Sequence, residues 1–211
     1  NPADDLNERF SKLPAAVSAL GVDVVLLQEV WRDSRAEELE KAFANIGYRY
    51  SVRKDGPGFS ILGLGNGLLI ISKWPLDPQL KVMTFQKVTR FGDSHFFMNK
   101  GALKTSVKLE DGLSIDLYVT HLGAVSGTAD HFDEEHVKAA FEQTRELAQF
   151  IEENSAASLN VVLTGDFNQN PWILKNGVFE KSENNPWYRY LIDELSLTDS
   201  YKQIHGDTST A

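Results

Sequence analysis

Short apolar runs that stop at polar side chains limit the fold of this chain more than any other feature. The runs cover residues 22–30, 114–120 and 161–164. The polar residues at or just after their ends are Gln28, Glu29, His121, Asp166 and Asn168. Nearly continuous apolar runs of this length are typical of strands that are buried on both faces of a helix-covered sheet. The pattern therefore predicts buried strands whose polar ends face a common crevice, and it makes residues 22–30 a central strand.

Helical spacing and turn residues predict the other elements. Leu6, Phe10 and Leu13 recur at helical spacing, and a second helix is expected to start at Pro14 and to stop at Gly21. Further helices are predicted from an N-cap at Ser34 to a terminator at Gly47, and over residues 133–154. Further strands are predicted at residues 48–53, 67–72, 80–85 and 101–109, with Asp111-Gly112 as the hairpin turn before residues 114–120.

Length and composition favour one domain without a spacer. The 211 residues are 42% hydrophobic, and they contain no low-complexity tract and no repeat. The apolar runs are shorter than the roughly 18 residues that cross a bilayer. We expect one domain over residues 1–211, of α/β (α+β) class, in which two central sheets lie between helical layers.

Charge and cysteine content narrow the function. The formal net charge of −9 disfavours a nucleic-acid partner, because such binding depends on Lys and Arg meeting phosphates. The chain has no cysteine, which removes disulfides and Cys-ligated zinc.

The polar strand ends suit phosphate-ester hydrolysis. A carboxylate binds a hard cation through oxygen, while imidazole and amide groups stabilise charge on phosphoryl oxygens. Each residue also has an ordinary explanation: Glu29 as an exposed strand end, His121 as a half-buried histidine, and Asp166 with Asn168 as an Asx turn. Three such endings in one chain favour a site, but spacing alone leaves the reaction open.

Four motifs in order carry a resemblance to a known family. They are LLQEVW (26–31), NGLLIISKWPL (66–76), NKGAL (99–103) with THLGA (120–124), and LTGDFNQNP (163–171). The chain resembles the endonuclease/exonuclease/phosphatase superfamily and, within it, the neutral sphingomyelinase-like branch. The resemblance covers nearly the whole chain.

The resemblance implies a DNase-I-like four-layer sandwich and a magnesium-dependent phosphodiesterase. It implies that Glu29 binds the metal ion, which is Mg²⁺, with Mn²⁺ or another divalent cation as a substitute. It implies that His121 contacts the scissile phosphate. It also implies that Asp166 orients or protonates the reacting oxygens and that Asn168 holds the phosphate or the attacking water. It places Lys100 and Asn66 at the substrate, and it leaves Gln143 a structural role.

The same resemblance predicts a fragment that is truncated at both ends. The family opens with a strand that carries a metal-site asparagine and closes with an Asp-His pair whose histidine is the general base. We find neither, and the chain starts at Asn1 rather than Met. We therefore expect this fragment to be weakly active or inactive, because a general base contributes on the order of 10²–10⁴-fold.

Several functions stay open within these expectations. The leading one is a sphingomyelinase-like phospholipid phosphodiesterase. We expect a monomer that contacts the membrane peripherally and that is secreted or membrane-associated. The alternatives are an endonuclease or an inositol-phosphate phosphatase of the same superfamily. A non-catalytic relative that acts as a binding module is a further alternative, favoured by Ala140 where the family usually has arginine.

Aromatic and histidine residues outside the motifs receive weaker predictions. The aromatic groups at Phe96-Phe97-Met98, Trp172, Trp187 and Tyr188 suit either a lipid interface or internal anchoring. His131 and His136 are expected to be solvated near the start of the long helix.

Overall fold

The structure is a computed structural model. It describes residues 2–54, 65–86, 99–110, 112–124, 127–128, 131–132, 134–155, 160–168, 172–175, 178–181 and 186–205. The helices are α1 (Pro2–Ala19), α2 (Asp33–Ala44), α3 (Glu134–Ser155), α4 (Pro186–Asp193) and α5 (Ser200–His205). The strands are β1 (Val24–Leu27), β2 (Tyr50–Arg53), β3 (Leu69–Ser72), β4 (Lys81–Thr84), β5 (Gly101–Lys108), β6 (Ser114–His121), β7 (Gly127–Thr128), β8 (His131–Phe132), β9 (Val161–Asp166), β10 (Trp172–Lys175) and β11 (Val178–Lys181).

The chain divides into two compact units. The first comprises Asn1–Thr84, Phe97–His121 and Ala157–Asp166, and the second comprises Phe85–Phe96, Leu122–Ala156 and Phe167–Ala211. Both larger sheets belong to the first unit.

The first sheet is antiparallel, with the strand order β1-β3-β2. All four residues of β3 are buried, whereas β1 lies at the edge of the described sheet. The prediction that residues 22–30 form a central strand is therefore wrong for the described part of the chain. The apolar run led to the wrong prediction because residues on both faces of β1 are packed. Val25 belongs to one core, while Val24 and Leu26 pack against another.

Helices α1 and α2 cover the outer face of this sheet. Their contacts form a core of Val17, Val25, Val30, Ala36, Leu39, Phe43, Tyr48, Leu69 and Ile71. The helix α1 runs unbroken through Pro14, so the prediction of a separate helix from this residue is wrong. A proline inside a helix costs about 3 kcal/mol, and Phe10, Leu13 and Val17 offset this cost by packing on the core.

The helix α2 also begins earlier than expected. It starts at Asp33 after Arg32, which makes no side-chain cap, so Ser34 lies inside the helix rather than at its N-cap. Asp33 instead complements the helix N-terminus and pairs with Arg53 at 2.8 Å. The predicted terminator Gly47 lies just beyond the end, with a φ of 103°.

The second sheet is mixed, with the strand order β4-β5-β6-β9. The expected antiparallel pairing of β5 with β6 is confirmed, and Gly112 donates its backbone N–H to Leu109 O in the turn. Asp111 lies outside the described residues. β6 and β9 are parallel, and α3 lies between them in sequence, as expected for a crossover connection.

Alternate residues of the two sheets pack on each other. Their shared core contains Leu68, Ile70, Leu103, Val107, Leu117 and Val119. The first unit thus has three layers: α1 with α2, the antiparallel sheet and the mixed sheet. This arrangement confirms the α+β class and two central sheets flanked by helices.

The second unit contains the remaining helices and two small hairpins, β7-β8 and β10-β11, which the sequence patterns did not predict. Phe141 of α3 packs edge-on against Tyr190 of α4, with ring centroids 5.8 Å apart. His136 is buried, so the prediction of a solvated histidine is wrong at this position. It shares the buried stripe of α3 with Ala140, Gln143 and Thr144, at spacings of one and two turns. The side chain of His131 lies outside the described residues.

None of the described helices is both long and apolar enough to span a bilayer.

A glycine allows β6 and β9 to approach each other. Gly165 has a φ of 150°, and an added Cβ would lie 2.1 Å from the carbonyl oxygen of Thr120, its register partner. We expect Gly165→Ala to lower the free energy of unfolding by about 3 kcal/mol, because the strands must separate or bend. Urea denaturation measures this loss. Gly47→Ala is the matched control, since Gly47 also has a positive φ but nothing lies near its added Cβ. Equal losses in the two variants would show that the close approach is not the cause.

Candidate active site

The turn after β1 presents Glu29 to solvent in a constrained backbone. Glu29 has a φ of 63°, which is uncommon for a residue with a side chain, and its side chain is exposed. Two backbone hydrogen bonds hold the turn to the segment before β3: Val30 N–H donates to Gly67 O at 3.0 Å, and Gly65 N–H donates to Trp31 O at 3.4 Å. The fold therefore holds this carboxylate in a conformation that costs about 1–3 kcal/mol.

Lys100 and His121 form a buried pair at the ends of two neighbouring strands. Lys100 Nζ lies 2.8 Å from His121 Nε2, and both residues are buried. A lysine ammonium can only donate, so Nε2 accepts and the imidazole of His121 is neutral in this arrangement. Asp166, the register partner of His121, brings its carboxylate to 3.7 Å from the same Nε2. The carboxylate of Asp166 thus lies beside the nitrogen that accepts the hydrogen bond of Lys100.

The charges of the site act together on Lys100. Burial lowers the pKa of Lys100 to about 8, while the negative charges of Asp166 and Glu29 act in the opposite direction. Glu29 and Asp166 therefore lie close enough to influence this ammonium group. The structure brings Glu29, Lys100, His121 and Asp166 into one neighbourhood, although they come from separate strand ends.

The depressed pKa predicts a dependence of stability on pH. Between about pH 8 and 10.5 the unfolded chain binds more protons at Lys100 than the folded chain does, so folding becomes more favourable as pH rises. Below pH 8 both states carry the charge, and the burial penalty is fully present. We expect wild type to gain stability relative to Lys100→Met between pH 8 and 10, as measured by urea midpoints. Lys108→Met, at the exposed end of β5, is the control and should follow wild type.

Asn66 lies in the segment that holds the Glu29 turn. It is only 3% exposed, and its Oδ1 accepts the backbone N–H of Leu68 at 3.1 Å. Within the described part of the chain, its Nδ2 is a buried donor without a hydrogen-bond partner. Such groups are costly in a fold, and this one is a candidate donor to a ligand. Its assignment to substrate binding stays a prediction.

Asn168 belongs to the second unit, although it follows Asp166 closely in sequence. It has a φ of 50°, and its Nδ2 donates to the carbonyl of Leu122 at 2.8 Å. Gln143 of α3 accepts the backbone N–H of Gly123 at 2.8 Å. The two amides hold the backbone that leaves β6 after His121. The expected contact of Asn168 with phosphate or water stays a prediction.

Sequence reasoning gave no role to Trp31, although this residue lies in the LLQEVW motif. Its indole packs on the imidazole of His121, with ring centroids 5.7 Å apart. An aromatic residue two positions after a candidate metal ligand was the available signal.

Of the aromatic residues considered for lipid contact, Tyr188 forms an internal contact. Its hydroxyl donates to Asp199 at 2.6 Å, and the side chains of Tyr188 and Trp187 are half-buried. Residues 96–98 and the side chain of Trp172 lie outside the described residues.

A family model matches most of the chain, including the segments that carry these strand-end residues. Residues 1–201 match the model of the endonuclease/exonuclease/phosphatase family. The chain belongs to this family. Its members are generally phosphoester hydrolases.

One relative is similar to most of this chain. A candidate neutral sphingomyelinase of Caenorhabditis elegans is 24% identical over 191 residues, which cover 87% of this chain and 38% of that protein. The chain therefore spans less than half the length of this relative.

Solved structures share the fold at low identity. Beta toxin 275-280 from Staphylococcus aureus has a TM-score of 0.67 at 18% identity, over 91% of this chain and 65% of that one. An endonuclease/exonuclease/phosphatase from Beutenbergia cavernae DSM 12333 has a TM-score of 0.66 at 20% identity, over 92% and 50%. ANGEL2, a 2',3'-cyclic phosphatase, has a TM-score of 0.59 at 19% identity, over 87% and 46%. Each chain extends well beyond the matched part.

Proposed function

We propose that the protein is a Mg²⁺-dependent phosphodiesterase that acts on a phospholipid of the sphingomyelin type. The observation that carries the proposal is the buried pair of Lys100 and His121 with the carboxylates of Asp166 and Glu29 around it. A lysine and an imidazole can stabilise charge on phosphoryl oxygens, and carboxylates can hold a divalent cation that does the same.

The carboxylates at this site fit a Mg²⁺ ion better than they fit a metal ion that is enclosed by protein ligands. Glu29 is exposed, and the side chain of Asp166 is 46% exposed. Among the described residues, no three His, Cys, Asp or Glu side chains cluster as a metal cage. Mg²⁺ commonly takes one or two carboxylates and completes its shell with water and substrate phosphate. Glu29 would hold the ion, and Mn²⁺ or another oxygen-binding divalent cation would also fit.

The residues of the site then have separate tasks. When bound, the cation supplies charge that stabilises the phosphoryl oxygens. Lys100 donates to a non-bridging oxygen of the phosphate, and the neutral His121 contacts the scissile phosphate. Asp166, exposed beside His121 Nε2, orients the reacting oxygens and exchanges protons with them. The buried Nδ2 of Asn66 is a further donor for the substrate.

The substrate class rests on two arguments. The relative from Caenorhabditis elegans carries the sphingomyelinase description, and the net charge of −9 opposes attraction of a polyanion such as DNA. Nuclease and inositol-phosphate phosphatase activities are the alternatives within the family. The proposed enzyme is a monomer, and it contacts the lipid surface peripherally.

A substrate panel tests the proposed function. The full-length gene product and this chain are incubated with sphingomyelin vesicles, a DNA oligonucleotide and an inositol phosphate, with Mg²⁺ and with EDTA. We expect phosphocholine release from the vesicles that EDTA abolishes and added Mg²⁺ restores. Cleavage of DNA alone, or phosphate release alone, would replace the lipid substrate with that alternative. No cation-dependent hydrolysis of any substrate by the full-length product would refute the enzymatic proposal and favour a binding module.

A further inference from the structure

We propose that Trp31 is a positioning residue that fixes the imidazole of His121 relative to the turn that carries Glu29. The inference rests on the proposed function for its catalytic consequence. Its structural claim, the restraint of one ring by another, stands on separate observations.

The first observation is the contact between the two rings. The indole of Trp31 and the imidazole of His121 lie 5.7 Å apart between centroids, with an angle of 36° between their planes. Aromatic rings at this separation attract each other and limit each other's rotation. Lys100 holds Nε2 of the same imidazole through a hydrogen bond. A hydrogen bond fixes one atom of the ring, and the indole restrains the tilt of its plane.

The second observation is the glycine that makes room for the indole. A Cβ on Gly67 would lie 2.7 Å from Cε3 and Cζ3 of Trp31, which is closer than atoms can approach. Gly67 also has a φ of 71°. The position of Trp31 thus depends on the absence of a side chain at Gly67.

The third observation is that the restraint and the candidate metal ligand share one turn. Val30 N–H donates to Gly67 O, and Gly65 N–H donates to Trp31 O, so the backbone on both sides of Val30 is held. Glu29 precedes this clamp directly. A displacement of the turn would therefore move the carboxylate of Glu29 and the ring of Trp31 together.

Among the described residues, Trp31 belongs to neither of the two main cores. In the part of the chain that the structure describes, neither core cluster of the first unit contains this residue, and its side chain is only half-buried. Its aromatic neighbour is His121, one of the candidate catalytic residues. Loss of the indole should therefore affect catalysis more than stability.

The test combines side-chain NMR of His121 with kinetics. The indole ring current shifts the imidazole proton resonances of His121, so we expect Trp31→Leu to move them towards random-coil values and Trp31→Phe to restore part of the shift. In the full-length enzyme, Trp31→Leu should lower kcat by about 10–100-fold with KM changed less than about threefold. Trp74→Leu is the matched control, since Trp74 packs in the core between the sheets and should leave the His121 resonances unchanged.

A double-mutant cycle tests the part played by Gly67. Gly67→Ala should shift the His121 resonances and lower kcat in the wild-type background. It should cost much less in the Trp31→Leu background, where the Cβ meets no indole. Equal costs in both backgrounds would show that only the φ of Gly67 matters.

The two proposals fail separately in this design. His121 resonances that stay unchanged in a folded Trp31→Leu protein would overturn the positioning role, whatever the activity. An unchanged kcat with shifted resonances would overturn its catalytic part. If wild type hydrolyses none of the substrates, the proposed function fails, while the NMR result still decides whether Trp31 restrains His121.

Discussion

Replacing Glu29 with glutamine is expected to lower Mg²⁺-dependent turnover by about 10³-fold or more. The carboxylate holds the metal ion, and the bound ion stabilises transition-state charge by several kcal/mol. Glutamine keeps the size and the carbonyl oxygen but lacks the charge. Since Glu29 is exposed, the substitution should leave the fold intact. The measurement is phosphocholine release by the full-length protein over a Mg²⁺ titration, with circular dichroism as the check on folding.

The control for this variant is another exposed glutamate. Glu152 lies at an exposed position of α3, and Glu152→Gln changes the net charge by the same amount. It should retain wild-type turnover at every Mg²⁺ concentration. If Glu29→Gln behaves like Glu152→Gln, Glu29 does not belong to the metal site.

Replacing His121 with asparagine is the second substitution with a large expected effect. We expect kcat to fall by about 10²–10⁴-fold, the range typical for a lost proton-transfer or phosphate-contact group. Asparagine is chosen because its side chain offers an acceptor to Lys100, which alanine would leave as a buried cation beside a cavity. Steady-state kinetics on sphingomyelin vesicles measure the loss.

His136→Asn is the comparison for the histidine variant. His136 is also buried, but it lies on α3 in the second unit. Any loss of stability from removing a buried histidine should appear in both proteins, whereas the loss of turnover should be confined to His121→Asn. Near-wild-type turnover in a folded His121→Asn protein would exclude His121 from the chemistry.

The sequence predicted the strands best where burial is strongest. Every residue of β3 is buried, and β5 and β6 pair in the expected antiparallel hairpin. The four motifs identified the family, because their order over the chain is more specific than any single spacing. The two-sheet α+β class was predicted correctly for the same reasons.

Errors arose where tertiary contacts outweigh local preferences. Pro14 continues a helix because neighbouring residues bury themselves on the core. His136 looked like a solvated residue near a helix start, yet it falls on the buried stripe of α3. Residues 22–30 read as a central strand because a run of apolar residues reports burial but not the number of strand neighbours.

The contacts of the candidate site depend on strand register, which the sequence does not specify. Ala102 pairs with Thr120, and this register places Lys100 beside His121. Likewise, the parallel pairing of β6 with β9 sets Asp166 opposite His121. The contact of Trp31 with His121 joins residues that are far apart in sequence, so no local pattern could predict it.

Binding of a divalent cation tests the central claim most directly, because it requires no substrate and no turnover. Mn²⁺ is titrated into isotope-labelled protein, and its paramagnetic broadening of NMR signals is mapped along the sequence. We predict that the resonances of Glu29, Trp31, Lys100, His121 and Asp166 broaden first and together, that Mg²⁺ reverses the effect, and that Glu29→Gln weakens it. Broadening that begins elsewhere in the chain, or that spares His121 while affecting Glu29, would contradict a single cation-bound phosphodiester site.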